Sequence, residues 1–150
     1  MDTPTRHIAQ FSWGRLRAPA DDPSVAPFFD GIPGVHARAD ANPGFVWRSD
    51  SERVEGEAAG WSLFDDDRVI TSFSVWRTPE ALKEFIYNGA HGAFYSRRAD
   101  WFDQTAPRGY ILWWVTPGAA HSITDAWAMY DKFTAEGPSD QVFTFAQLAS

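Results

Sequence analysis

The sequence predicts a small α+β domain built on an antiparallel four-stranded sheet, and three observations predict it. Four segments alternate apolar and polar residues, or run apolar, over strand length. Apolar residues recur at helical spacing between those segments. Pro and Gly fall at the joints, where turns and caps need them. The 150 residues suit one domain, taken as 1–150, and a hydrophobic content of 44% is enough for a core.

His7 to Trp13 is the first strand. His7, Ala9, Phe11 and Trp13 share one face, and Ile8, Gln10 and Ser12 the other. Val25, Phe28, Phe29, Ile32 and Val35 then have helical spacing. Pro33-Gly34 predicts a break or kink in that helix. Asn42-Pro43-Gly44 is a strong turn signal, and Gly44 to Ser49 is the second strand. Asp50 to Gly60 is polar and acidic, a loop or hairpin tip. Val69 to Trp76 is the third strand, with Val69, Thr71, Phe73 and Val75 facing one way. Ile70, Ser72, Ser74 and Trp76 face the other.

Thr78 is the N-cap and Pro79 the first residue of a second helix, which carries Leu82, Phe85 and Ile86 on one face. After Gly89, His91 to Phe102 continues helically with Phe94, Tyr95, Arg98 and Trp101 at matching spacing. Tyr110 to Val115 is a fourth strand, apolar on both faces. Ser122 to Glu136 is a third helix, with Ser122 and Asp125 arranged as in a capping box. Gln141 to Phe145 reads as a short extra strand.

The order β-α-β-β-α-β plus a C-terminal helix is the ferredoxin-like split βαβ arrangement. Two helices cover only one face of such a sheet. The doubly apolar fourth strand therefore predicts a second copy on the other face, hence a homodimer.

Eight Trp and twelve Phe exceed what one small core needs, and the surplus predicts a pocket for a hydrophobic small-molecule substrate, an interface, or both. A net charge of −7 and a pI near 4.9 argue against nucleic acid and anionic membranes as partners. The absence of cysteine excludes disulfides, thiolate catalysis and Cys-based metal sites. The N-terminus lacks a leader pattern and no apolar run reaches spanning length, so the expected location is cytoplasmic. No phosphate loop, nucleophile elbow or nucleotide fingerprint is present.

His91 is the first candidate for chemistry. At the start of a helical segment its imidazole would be held neutral, ready to abstract a proton from a phenol or enol. It could equally ligate haem iron, or simply cap its own helix. Arg98 and Tyr95, at matching spacing, complete the candidate catalytic set. Of Arg97 and Arg98, one is expected to face inward and clamp an anion, against a surface ion pair as the plainer role. Trp76, Phe94, Trp101, Trp113 and Phe73 are candidate pocket walls, with Gln10 as a hydrogen-bonding residue, although aromatic core packing explains any single one. Trp113 and Trp114 must face opposite ways. His36 and His121 read as surface residues, and Asp65-Asp66-Asp67 as a solvated turn.

PGFVWR (Pro43–Arg48), SVW-x-TPEAL (Ser74–Leu82), F-x-Y-x-x-x-H (Phe85–His91), RR-x-x-WF (Arg97–Phe102), LWWV-x-x-G (Leu112–Gly118) and GP-x-x-x-x-FTF (Gly137–Phe145) together resemble the bacterial family called domain of unknown function 3291. The resemblance runs from His7 to Phe145. It implies the dimeric α/β-barrel superfamily, which includes cofactor-free antibiotic-biosynthesis monooxygenases, haem-degrading monooxygenases, aldoxime dehydratases and polyketide cyclases. The expectation is an enzyme acting on an aromatic or polycyclic substrate without a cofactor, monooxygenase-like or cyclase/dehydratase-like. A haem protein with His91 as axial ligand and a non-catalytic binding protein are the alternatives.

Overall fold

The structure is a computed structural model that describes residues 6–19, 21–49, 68–87, 97–103 and 109–148. Its elements are β1 (His7–Arg15), a 3-10 turn (Pro23–Val25), α1 (Ala26–Asp40), β2 (Phe45–Arg48), β3 (Val69–Trp76), α2 (Pro79–Tyr87), α3 (Arg98–Trp101), β4 (Gly109–Val115), α4 (Ile123–Glu136) and α5 (Phe145–Leu148). The four strands form one sheet in the order β2-β3-β1-β4, antiparallel throughout. This is the ferredoxin-like order expected from the sequence. The acidic segment Asp50 to Gly60 and most of the predicted helical stretch from His91 lie outside the described residues.

Local chemistry sets the element ends. The Ala81 amide donates to Thr78 Oγ1 at 3.1 Å, capping α2 behind Pro79. Ser122 and Asp125 make the full reciprocal capping box at the start of α4. Gly137, at φ +77°, ends that helix in a conformation that side chains resist.

Three expectations need correction. The first helix is not broken at Pro33, because α1 runs unbroken from Ala26 to Asp40. Pro33 and Gly34 are exposed, so the proline ring and the missing amide hydrogen bond fall on the solvent side of the helix, away from its packed face. Gln141 to Phe145 is not a strand. Phe143 makes only an isolated bridge to Leu112, with a pair of backbone hydrogen bonds of 2.8 and 2.9 Å, and the chain then turns into α5.

The third correction concerns the second face of the sheet. Ala9, Phe11, Phe73, Val75, Ile111 and Trp113 are buried there without a second copy. The chain's own α4 covers them, through Ala126, Trp127 and the half-buried Met129, Tyr130 and Phe133. Helical amphipathicity tells that α4 must bury a face but not which surface receives it. The argument from an uncovered face to a homodimer therefore loses its ground.

The opposite face lies under α1 and α2, and its core is split. Ile8, Trp76, Leu82, Leu112 and Phe143 form one cluster. Leu16, Val25, Phe28, Ile70 and Trp101 form another. Between them the central strands carry Gln10 and Ser12 on β1 opposite Ser74 and Ser72 on β3. Four short or polar side chains in mid-sheet cannot fill the space beneath two helices, and a cavity remains.

Candidate functional site

The cavity has a volume of about 530 Å³. Its floor is the polar strip Gln10, Ser12, Ser72 and Ser74. Its roof comes from α1, through Phe28, Ile32, Val35, His36 and Ala39, and from α2, through Leu82, Phe85 and Ile86. These residues recur at the three- and four-residue intervals that put them on one side of each helix. Trp76, Phe45, Tyr110 and Phe145 close one end, and Ile70, Trp101 and Phe102 the other. The Phe145 amide donates to Tyr110 Oη at 3.1 Å, which ties the C-terminal turn to that wall.

The floor is a connected network. Gln10 is 7% exposed, and its Nε2 donates to Ser72 Oγ at 3.0 Å and to Ser74 Oγ at 2.9 Å. Trp76 Nε1 donates to the same Ser74 Oγ at 2.9 Å. The Trp76 ring packs on Phe85 at 4.7 Å and on Phe45 at 5.4 Å between centroids. Trp101 packs on Phe28 at 5.8 Å. Charge enters at the rim. Arg15, Arg48 and Arg98 line the cavity, with Asp103 as the acidic lining residue among those described. Arg15 pairs with Asp103 at 3.6 Å, and Arg48 with Asp40 at 3.3 Å. Among the described residues three arginines and one aspartate thus line the cavity, and two of the arginines stand in ion pairs.

The residues singled out from sequence divide accordingly. Gln10, Trp76, Trp101 and Arg98 come together in the cavity. Phe73 belongs to the wall through its strand, while its ring packs on the far face against Trp47 at 5.0 Å and Trp113 at 5.6 Å. Trp113 is corrected from pocket wall to core: it alternates onto the α4 face, 3% exposed. Trp114 shares the helix face but lies beyond the cavity, between Arg6 at 4.5 Å and Phe143 at 6.0 Å. Arg97 is corrected from substrate binder to surface ion pair. Its Nε meets Asp100 Oδ2 at 3.2 Å, and its guanidinium lies 4.9 Å over the outside of Trp101. His91, Phe94 and Tyr95 lie outside the described residues, and with them the proposed haem ligand.

The cavity also holds residues outside the sequence-based candidate set, Ser72, Ser74, Arg15, Arg48 and His36 among them. His36 is not on the free surface but lines the roof, one turn beyond Ile32. Its place in the stripe Phe28, Ile32, His36 is visible in the sequence once α1 is continued through Pro33. His121 is half-buried on the other face, 5.2 Å from Trp47, and burial holds its imidazole below the usual 6.5. Burial likewise pushes the Tyr130 phenol up. Among the described residues no group of three or more His, Asp or Glu is placed to hold a metal ion, and no helix is long and apolar enough to cross a membrane.

The comparisons agree with this architecture. The profile of the family described as domain of unknown function (DUF3291) matches residues 7–150. No curated protein matches. Among solved structures, a Nitrosomonas europaea protein provisionally assigned as an antibiotic biosynthesis monooxygenase superposes with a TM-score of 0.56 at 11% identity, over 80% of this chain and 100% of its own. SnoaB, a cofactor-independent oxygenase from Streptomyces nogalater, superposes with a TM-score of 0.50 at 12% identity, over 79% and 97%. A conserved protein from Methanosarcina mazei Go1 gives 0.52 at 11% identity, over 73% and 92%. At such identities the likeness is one of fold. The chain belongs to the DUF3291 family and carries the fold of the antibiotic biosynthesis monooxygenase-like proteins.

Proposed function

We propose that this protein is a small-molecule oxygenase of the cofactor-independent kind, acting on an apolar aromatic phenol or enol held as its anion between the sheet and α1–α2. The observation that carries this reading is the cavity itself: apolar ends and roof, a polar floor in mid-sheet, and arginines among its lining residues. Such a site takes up a flat hydrophobic body, orients one oxygen, and favours a negative charge. SnoaB, of similar fold, is a cofactor-independent oxygenase, which supports oxygen as the co-substrate.

The chemistry that fits is oxidation of an activated methylene. An electron-rich enolate reduces dioxygen directly. One oxygen atom becomes the new carbonyl, the other leaves as water, and the CH₂ hydrogens go with it. The residues' part is to favour the enolate, through the rim arginines and the floor hydrogen bonds, and to keep bulk water away. Arg98 is the anion clamp in this scheme.

The test is oxygen consumption with a hydroxylated anthrone, read with an electrode and by mass spectrometry of the product. Saturable uptake and a product in which CH₂ has become C=O are expected. Ligand that binds and is recovered unchanged, with no oxygen consumed, contradicts oxygenase activity and leaves a binding protein. Failure to bind contradicts both.

A further inference from the structure

The hydrogen-bond inventory of the cavity floor has a consequence for the ligand. A carboxamide nitrogen has two hydrogens, and Gln10 Nε2, as oriented in the structure, directs them to Ser72 Oγ and Ser74 Oγ. Ser74 Oγ also accepts from Trp76 Nε1. A hydroxyl oxygen has two acceptor sites, and those of Ser74 are then both taken. The one role left to Ser74 is to donate its hydrogen. Gln10, Ser72 and Ser74 have no other side-chain partner among the described residues. The Ser74 O–H, the Ser72 O–H and Gln10 Oε1 are therefore the groups left for whatever occupies the cavity they line.

We infer that Ser72 and Ser74 form a two-hydroxyl cradle for an acceptor oxygen of the ligand, with Gln10 as the positioning residue. The amide holds both serines by their oxygens, which turns their hydrogens outward. A ketone or phenolate oxygen satisfies them, and a hydroxyl beside it on the ligand can donate to Gln10 Oε1. A hydrocarbon of the same shape would cover these hydroxyls and the amide oxygen and leave them without partners, which is costly. The site thus selects apolar aromatics by an oxygen at one edge. This inference rests on the reading of the cavity as an aromatic-ligand site.

Fluorenone and fluorene are near-isosteric probes that differ by that oxygen. Their affinities for the wild-type protein and for Ser72→Ala/Ser74→Ala are measured by quenching of tryptophan fluorescence. The preference for fluorenone over fluorene should fall about tenfold in the double variant, with fluorene affinity retained. Gln10→Leu should lose part of the same preference, because the serines are then free to turn away. An unchanged preference in the double variant overturns the cradle and leaves the cavity reading standing. If neither probe binds the wild type, the cavity reading fails and takes the cradle with it. A second readout needs no variant. The carbonyl stretch of bound fluorenone should lie at lower frequency than in alkane, and an unshifted band overturns the inference.

Discussion

Arg97 and Arg98 are adjacent on the chain and meet different surroundings. Arg97 pairs with Asp100 in solvent and lies over Trp101 from outside, whereas Arg98 lines the cavity. That one of the pair turns inward follows from helical geometry. Which one does so depends on the approach of Trp101 to Phe28, a contact made across the fold. Exposed pairs such as Arg97–Asp100 contribute at most about 1 kcal/mol. Arg97→Ala should accordingly leave the affinity for 1-hydroxy-2-naphthoate within about twofold, while Arg98→Ala should weaken it about tenfold or more, the worth of a charge-assisted hydrogen bond. Calorimetric titration of both variants checks this, and equal effects would remove Arg98 from the site. Trp113 illustrates the converse limit. Alternation separates it from Trp114, but both faces of β4 are apolar, so nothing local marks the side that holds the ligand.

At the scale of elements, strands and caps were legible because their signals are local. β3 spans the predicted Val69 to Trp76, and Thr78 and Ser122 cap the helices that they were expected to cap. Helix α1 departs from the expected break for the same reason. A proline inside a helical pattern is a local warning, yet its cost falls when it lies on the solvent side of a helix whose other side is anchored by packing. The contact that sets α2 against β2 is equally non-local. A Cβ built on Gly44 would lie 2.5 Å from Ala81 Cβ, so the two backbones approach through a gap that only glycine leaves. Gly44→Ala should lower stability by about 1–3 kcal/mol, as overpacking does. Denaturant unfolding should show that Ala81→Gly recovers part of the loss in the double variant. Additive losses from the two substitutions would contradict the close approach.

At the scale of the molecule, the sheet is buried on both faces by its own chain, and the two faces do different work. Under α4 the packing is continuous and aromatic, with Phe73 joining Phe11, Trp47 and Trp113. Under α1 and α2 it is interrupted where the central strands carry Gln10, Ser12, Ser72 and Ser74. Those four residues were visible as polar positions in otherwise apolar strands. Their meeting at the centre of the sheet was not, because it depends on the register between β1 and β3, which are far apart in sequence. The interruption makes the cavity, and the proposed activity depends on a ligand entering it. A crystal structure of the protein with bound fluorenone tests that most directly. The ring system is expected between the Trp76 and Trp101 ends with its oxygen within hydrogen-bond distance of Ser72 and Ser74. A ligand lodged on the α4 side of the sheet, or a helix face filled by rearranged side chains, would contradict it.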